Sequence, residues 1–319
     1  MTAWLLGVAV AFVVALAPAN AGPLAYITEQ GDDSVAVVDV DSWKVLEQVK
    51  VGRKPAGVAV APGAERIFVS NPESATVSAI ARGADGRHKV VGEGKAGQGP
   101  LGIAVDRAGK QVFVADWYND DVHVLDAATL KETRVFKVGR SPSGMTTSPD
   151  DRLLFVANRE SDTVSVIELA TARTLATIAV GKAPFGVAYD ENGPRLWVAN
   201  VQSGDVSVVD PIAFKEIRRV KVGAFPYGVA VTRDGARAFV TNQHADSVSV
   251  IDAKSYAPLA TLNTGAYPEG ILISPDQTRA LVSCWMDDEL DAIDVSSLKI
   301  VKRLKVGSGP RAFGQFIAP

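Results

Sequence analysis

The sequence predicts an all-β chain in which four-stranded antiparallel units repeat around a closed ring. Three observations carry that prediction. A turn proline recurs at Pro55, Pro100, Pro142, Pro184, Pro226, Pro268 and Pro310, spaced by 45 residues and then by 42 five times in succession. Within each interval four short runs alternate apolar with small or polar residues, parted by Gly, Pro, Asn and Asp turns, which is the pattern of an antiparallel meander. The chain ends are complementary, because the first copy lacks a first strand and the last copy consists of nothing else. A length of 319 residues alone would suggest two domains. A fixed period of this size overrides that prior and makes one cooperative array.

Taken in order, the first 21 residues stand apart. Trp4 to Ala17 (WLLGVAVAFVVALA) is an uncharged apolar run of 14, followed by Pro18 and by Ala19, Asn20 and Ala21. That is a signal-peptide core with an Ala-x-Ala cleavage site, and it is short for a bilayer span. The usual Lys or Arg ahead of it is missing from Met1, Thr2 and Ala3. The expectation is a cleaved signal peptide over 1–21 and one domain over 22–319. The mature protein would then be periplasmic or secreted, with no membrane span.

The second strand of each unit reads YITE from Tyr26, FVSN from Phe68, FVAD from Phe113, FVAN from Phe155, WVAN from Trp197, FVTN from Phe239 and LVSC from Leu281. The leading large residue is expected to pack between neighbouring units, and the closing Asn to suit the turn that follows. Third strands read VAVVD from Val35, VSVIE from Val164, VSVVD from Val206 and VSVID from Val248. With the VGxxPxGVA turns, these elements resemble the YVTN-repeat β-propeller family over all of 26–316. The resemblance implies a seven-bladed β-propeller. Residues near 310–317 would form the innermost strand of the blade whose outer three strands come from 26–51, closing the ring and removing its open edges. A three-residue insertion near 81–89 reads as a tolerated surface loop.

Composition excludes several function classes. A net charge of −3 gives no bulk attraction to nucleic acid or anionic membrane. The single cysteine, Cys284, rules out an intramolecular disulfide and reads as a buried thiol. Lys and Arg runs on the fourth strands, such as Lys215, Arg218, Arg219 and Lys221, read as edge protection. The three histidines, His88, His123 and His244, share no metal-ligand spacing, and His123 reads as structural. No metal, cofactor or catalytic residue is expected.

Function in a repeat fold is sought where the copies stop agreeing. The turns entering the first strand and those from second to third strand share one end, here called the top. There the copies diverge in a lopsided way that gathers Phe185, Phe225, Tyr227, His244, Tyr267, Glu269, Trp285 and Arg311 on one side of the mouth, with Trp117 and Tyr118 further round. An aromatic concave mouth with a few charges suits a binding site for a periplasmic protein partner or a small molecule. The competing reading is that large residues plug the channel. The resemblance implies a non-catalytic exported binding or accessory protein, similar to propellers associated with PQQ-dependent catabolism or another periplasmic redox system, and a monomer is expected. A lactonase or lyase and a single-stranded DNA binder are the alternatives.

Overall fold

The structure, a computed structural model, describes residues 22–318, so the expected signal peptide lies outside the described residues. Seven sheets are built as the repeat predicts. Blade one takes its outer three strands from Leu24–Glu29, Ser34–Asp39 and Lys44–Lys50, with Ile317–Ala318 innermost. Blade two spans 57–95, blade three 100–137, blade four 142–179, blade five 184–221, blade six 226–263 and blade seven 268–305, each an antiparallel meander. The chain is a seven-bladed β-propeller. Among the described residues, no helix is long and apolar enough to cross a membrane.

The large residue that opens each second strand sets the spacing between blades. Tyr26, Phe68, Phe113, Phe155, Trp197, Phe239 and Leu281 are all buried, and Phe68 packs with Ile103 and Val114 of the next blade. Fourth strands face solvent on their outer edge, where Lys215, Arg218, Lys299 and Lys302 are exposed. Closer to the axis, the glycine of each Pro-x-Gly turn meets the carbonyl of the following blade. A Cβ on Gly228 would lie 2.5 Å from the Glu269 carbonyl oxygen, and one on Gly57 would lie 2.7 Å from that of Leu101. Only glycine lets adjacent first strands approach this closely.

Ring closure follows the prediction, with one added detail. Glu29 bridges to Pro310, the Arg311 amide donates to the Thr28 carbonyl at 3.0 Å, and Leu24 and Ala25 pair with Ala318 and Ile317. Between those anchors the strand leaves blade one. Phe313–Gln315 instead pairs in parallel with Gly57–Val60 of blade two. The reason is in the sequence: the last copy has Ala312 where the others have the axial glycine, and Gly314, at φ 104°, takes up the close approach two residues later. The insertion is also more than a loop. It lengthens a hairpin and delivers His88 to blade one, where its ring nitrogens meet the Tyr26 hydroxyl at 3.1 Å and Glu47 at 2.6 Å. Burial pushes the Tyr26 hydroxyl up to about 12.

Candidate functional site

The top of the channel is closed. Phe185, Tyr227 and Phe313 meet there, with ring centroids 4.0 Å apart for Phe185–Tyr227 and 5.4 Å for Phe185–Phe313. Arg311 lies behind them. Its Nε donates to Glu269 Oε2 at 2.6 Å and its Nη2 to the Tyr227 hydroxyl at 2.8 Å, while Gln243 donates to Glu269 at 2.7 Å. Burial pushes the Tyr227 hydroxyl well above its ordinary value, against the opposing effect of Arg311. Burial alone would lower the Arg311 guanidinium, but Glu269 and Tyr227 more than reverse it, so the group stays charged. Four of the residues gathered by the sequence reading, Phe185, Tyr227, Glu269 and Arg311, therefore form a packed plug with a satisfied ion pair at its heart.

Below the plug, a cavity of about 460 Å³ runs along the axis between the first strands toward the bottom face. Its walls are mostly first-strand backbone with side chains such as Met145, Val187, Val229 and Ile271. At the lower rim Arg107 and Glu191 form an ion pair across the mouth. The buried carboxylates there are occupied locally: Asp106 accepts from the Lys110 and Gln111 amides, and Asp190 pairs with Arg195 at 2.5 Å. The cavity can hold a small molecule.

The other gathered residues lie on the top surface and form a row. Phe225 stacks on His244 with centroids 3.7 Å apart, His244 meets Tyr267 at 5.3 Å, and Tyr267 meets Trp285 at 6.2 Å. His244 is exposed, and Met286 beside Trp285 is 57% exposed. Phe225 and Tyr267 occupy the position before each turn proline and take left-handed backbone, with φ of 54° and 55°. Acidic groups border the row, since Asp246 caps the Tyr267 amide and Asp287 caps the Ala266 amide. Trp117, on blade three, packs against the plug residues with Arg159 over its ring, while Tyr118 beside it is 71% exposed.

A second divergence was not legible as a site in the sequence. In most blades the Asn that ends the second strand is buried, not turned to solvent: Asn158 donates to Thr163 and Ser165, at 3.0 and 2.9 Å, and accepts from the Gly139 amide. This clip holds the second and third strands to the incoming turn, which is the physical reason for Asn there. Blade three replaces the neutral trio with Asp116, Asp121 and His123. Among the described residues, it is the single group of three His, Cys, Asp or Glu side chains whose ligand atoms converge, all within 4.8 Å. Burial would raise the Asp116 carboxyl, but hydrogen bonds from Gln98, Asn119, Tyr118 and Gly99 hold it below the ordinary value. The spacing of three residue types across a strand pair gives no sequence signal without the register. Blade seven also departs, with Cys284, Glu289 and Asp291, and there Arg303 approaches Asp291 at 3.6 Å. Cys284 is fully buried, and burial with the neighbouring carboxylates raises its thiol.

Comparisons agree with the architecture. Residues 198–316 match the family model of YNCE-like beta-propellers, and residues 86–177 and 126–213 match that of the 7-bladed beta-propeller lactonases. None of the curated proteins matches the chain. Among solved structures, hydrazine synthase of Kuenenia stuttgartiensis is 20% identical with a TM-score of 0.77, over 85% of this chain and 92% of that one. The periplasmic gluconolactonase PpgL of Pseudomonas aeruginosa is 18% identical with a TM-score of 0.75, over 91% and 97%. Dihydro-heme d1 dehydrogenase NirN is 20% identical with a TM-score of 0.69, over 93% and 74%. At these identities the likeness establishes the fold alone.

Proposed function

We propose that this propeller is an exported, non-catalytic binding protein of the YVTN-repeat kind, working from the top surface of blades six and seven as an accessory to a periplasmic redox system. The observation that supports the reading is the row Phe225, His244, Tyr267 and Trp285, one pair stacked and the next two tilted, on an open face while the channel beneath is plugged. Rings in contact with one another present flat apolar area at little cost in side-chain entropy, as binding surfaces require. The bordering Asp246 and Asp287 select against a phosphate backbone, so the partner is a neutral or cationic surface with a flat apolar face and not nucleic acid. The test is capture from periplasmic extract, with mass spectrometry of retained proteins and small molecules. Specific retention of a redox enzyme, a transporter component or a planar small molecule supports the reading, and a blank opposes it.

A lactonase is the second reading. Two observations favour it: the match of residues 86–213 to the lactonase family model, and the likeness to a gluconolactonase. The occupied carboxylates along the axial cavity weigh against it. Turnover of a panel of lactones, with and without divalent metal, decides between the two.

A further inference from the structure

We propose that Asp116, Asp121 and His123 of blade three bind a first-row divalent transition cation. Distance is the first argument. His123 Nε2 lies 3.3 Å from Asp121 Oδ1 and 3.6 Å from Asp116 Oδ2. Both separations exceed an ordinary N–H···O hydrogen bond of about 2.7–3.2 Å. They match the spacing of about 3.3–3.6 Å between donors that hold one ion tetrahedrally at the usual bond lengths of about 2.0–2.2 Å.

Unmet bonding is the second argument. His123 Nε2 and Asp121 Oδ1 are both buried without a hydrogen-bond partner, and the Asp121 side chain is 9% exposed. The two atoms lie 3.3 Å apart. The other atoms of the trio are held from behind. His123 Nδ1 meets Glu132 Oε2 at 2.5 Å, and Asp121 Oδ2 meets Lys137 at 2.7 Å. With the Nδ1 proton donated to Glu132, Nε2 is left as the acceptor, the arrangement in which a carboxylate orients a metal-binding imidazole.

Divergence among the copies is the third. The glycine three residues before each turn proline has left-handed backbone only in blade three, at Gly97, where φ is 71°. That turn brings the Gln98 amide onto Asp116 Oδ2 at 2.7 Å, which also accepts from Asn119 Nδ2 at 2.6 Å, and the Gly99 amide onto Oδ1 at 3.0 Å, so a cation bound there would take the place of one bond to Oδ2. A Cβ on Gly97 would lie 2.7 Å from His123 Nε2, so only glycine leaves the approach to the trio clear. One nitrogen and two carboxylate oxygens suit zinc or manganese and their neighbours more than a soft copper ion.

The test uses purified protein stripped with a chelator, then titrated with Zn²⁺ by calorimetry and with Co²⁺ followed by visible absorption. Wild type should take up one equivalent, gain thermal stability with Zn²⁺ and show Co²⁺ ligand-field bands. The triple change Asp116→Asn, Asp121→Thr and His123→Ser installs the clip that blade four already uses, so the ring should fold. It should lose the bound equivalent, the bands and the stability gain. His123→Ser alone should weaken binding by at least tenfold. No uptake by wild type, or equal uptake by the triple variant, overturns the proposal.

Discussion

The Arg311 guanidinium lies 2.6 Å from one oxygen of Glu269 and 3.2 Å from the other, behind the rings that close the channel. Arg311 belongs to the segment that completes blade one, and Glu269 opens blade seven, so the pair locks the ring at its seam. Removing one partner leaves a buried charge without its counterion, at a cost of about 3–5 kcal/mol. Glu269→Gln and Arg311→Met should each lower the urea midpoint accordingly. The sequence leaves these residues as either a binding mouth or a plug, and the plug geometry predicts a loss of stability on substitution. A stable Glu269→Gln ring would contradict that prediction.

Deleting residues 310–319 removes the innermost strand of blade one and the parallel partner of Gly57–Val60 together. Two blades lose edge pairing, and Phe313 leaves the plug. The truncated chain should unfold at a much lower temperature or associate through its exposed strand edges. Thermal unfolding with size-exclusion chromatography reads both outcomes.

Gly228→Ala should destabilise the ring by about 1–3 kcal/mol, the usual range for overpacking a tight contact. The added methyl would meet the Glu269 carbonyl oxygen, a backbone atom, at 2.5 Å, with Ile271 Cγ2 at 3.1 Å and Thr241 Oγ1 at 3.2 Å. Equilibrium denaturation of the single variant checks the figure.

These cases show what the sequence could and could not reveal. The period, the aromatic that opens each second strand and the incomplete end copies are local patterns, and they carried the fold as far as the seam. The return of Gly314 to the axis depends on Ala312 breaking the Pro-x-Gly motif, a one-residue change whose consequence is geometric. The candidate site divided for a related reason. Position before or after the turn proline marks a residue as near the mouth, yet Tyr227 points into the plug while Phe225 and Tyr267 lie on the surface. The Asp116, Asp121 and His123 trio stayed hidden because it forms across two strands and matters only by comparison with the Asn clip in the other blades.

Acid sensitivity should come from the turns between third and fourth strands. Asp39, Asp126, Asp210, Asp252 and Asp294 all sit below the ordinary carboxyl value. Hydrogen bonds from the residues two and three positions on are the main cause, and Asp294 is lowered from 3.8 to about 2. A carboxyl lowered on folding contributes stability that is present above its unfolded value and lost as the pH falls through its folded value. Stability should therefore decline between about pH 4 and pH 2, and Asp294→Ala should flatten part of that slope. Urea midpoints across this window measure the effect.

The double change Tyr267→Gly and His244→Ala probes the proposed surface most sharply. Glycine relieves the left-handed backbone at Tyr267, where φ is 55°, and His244 is exposed, so the ring should keep its melting temperature. Capture from periplasmic extract by wild type and by this variant is then compared at equal folded protein. The specifically retained partner should be lost from the variant. Equal retention by both, with the melting temperatures matched, would contradict a binding surface on blades six and seven.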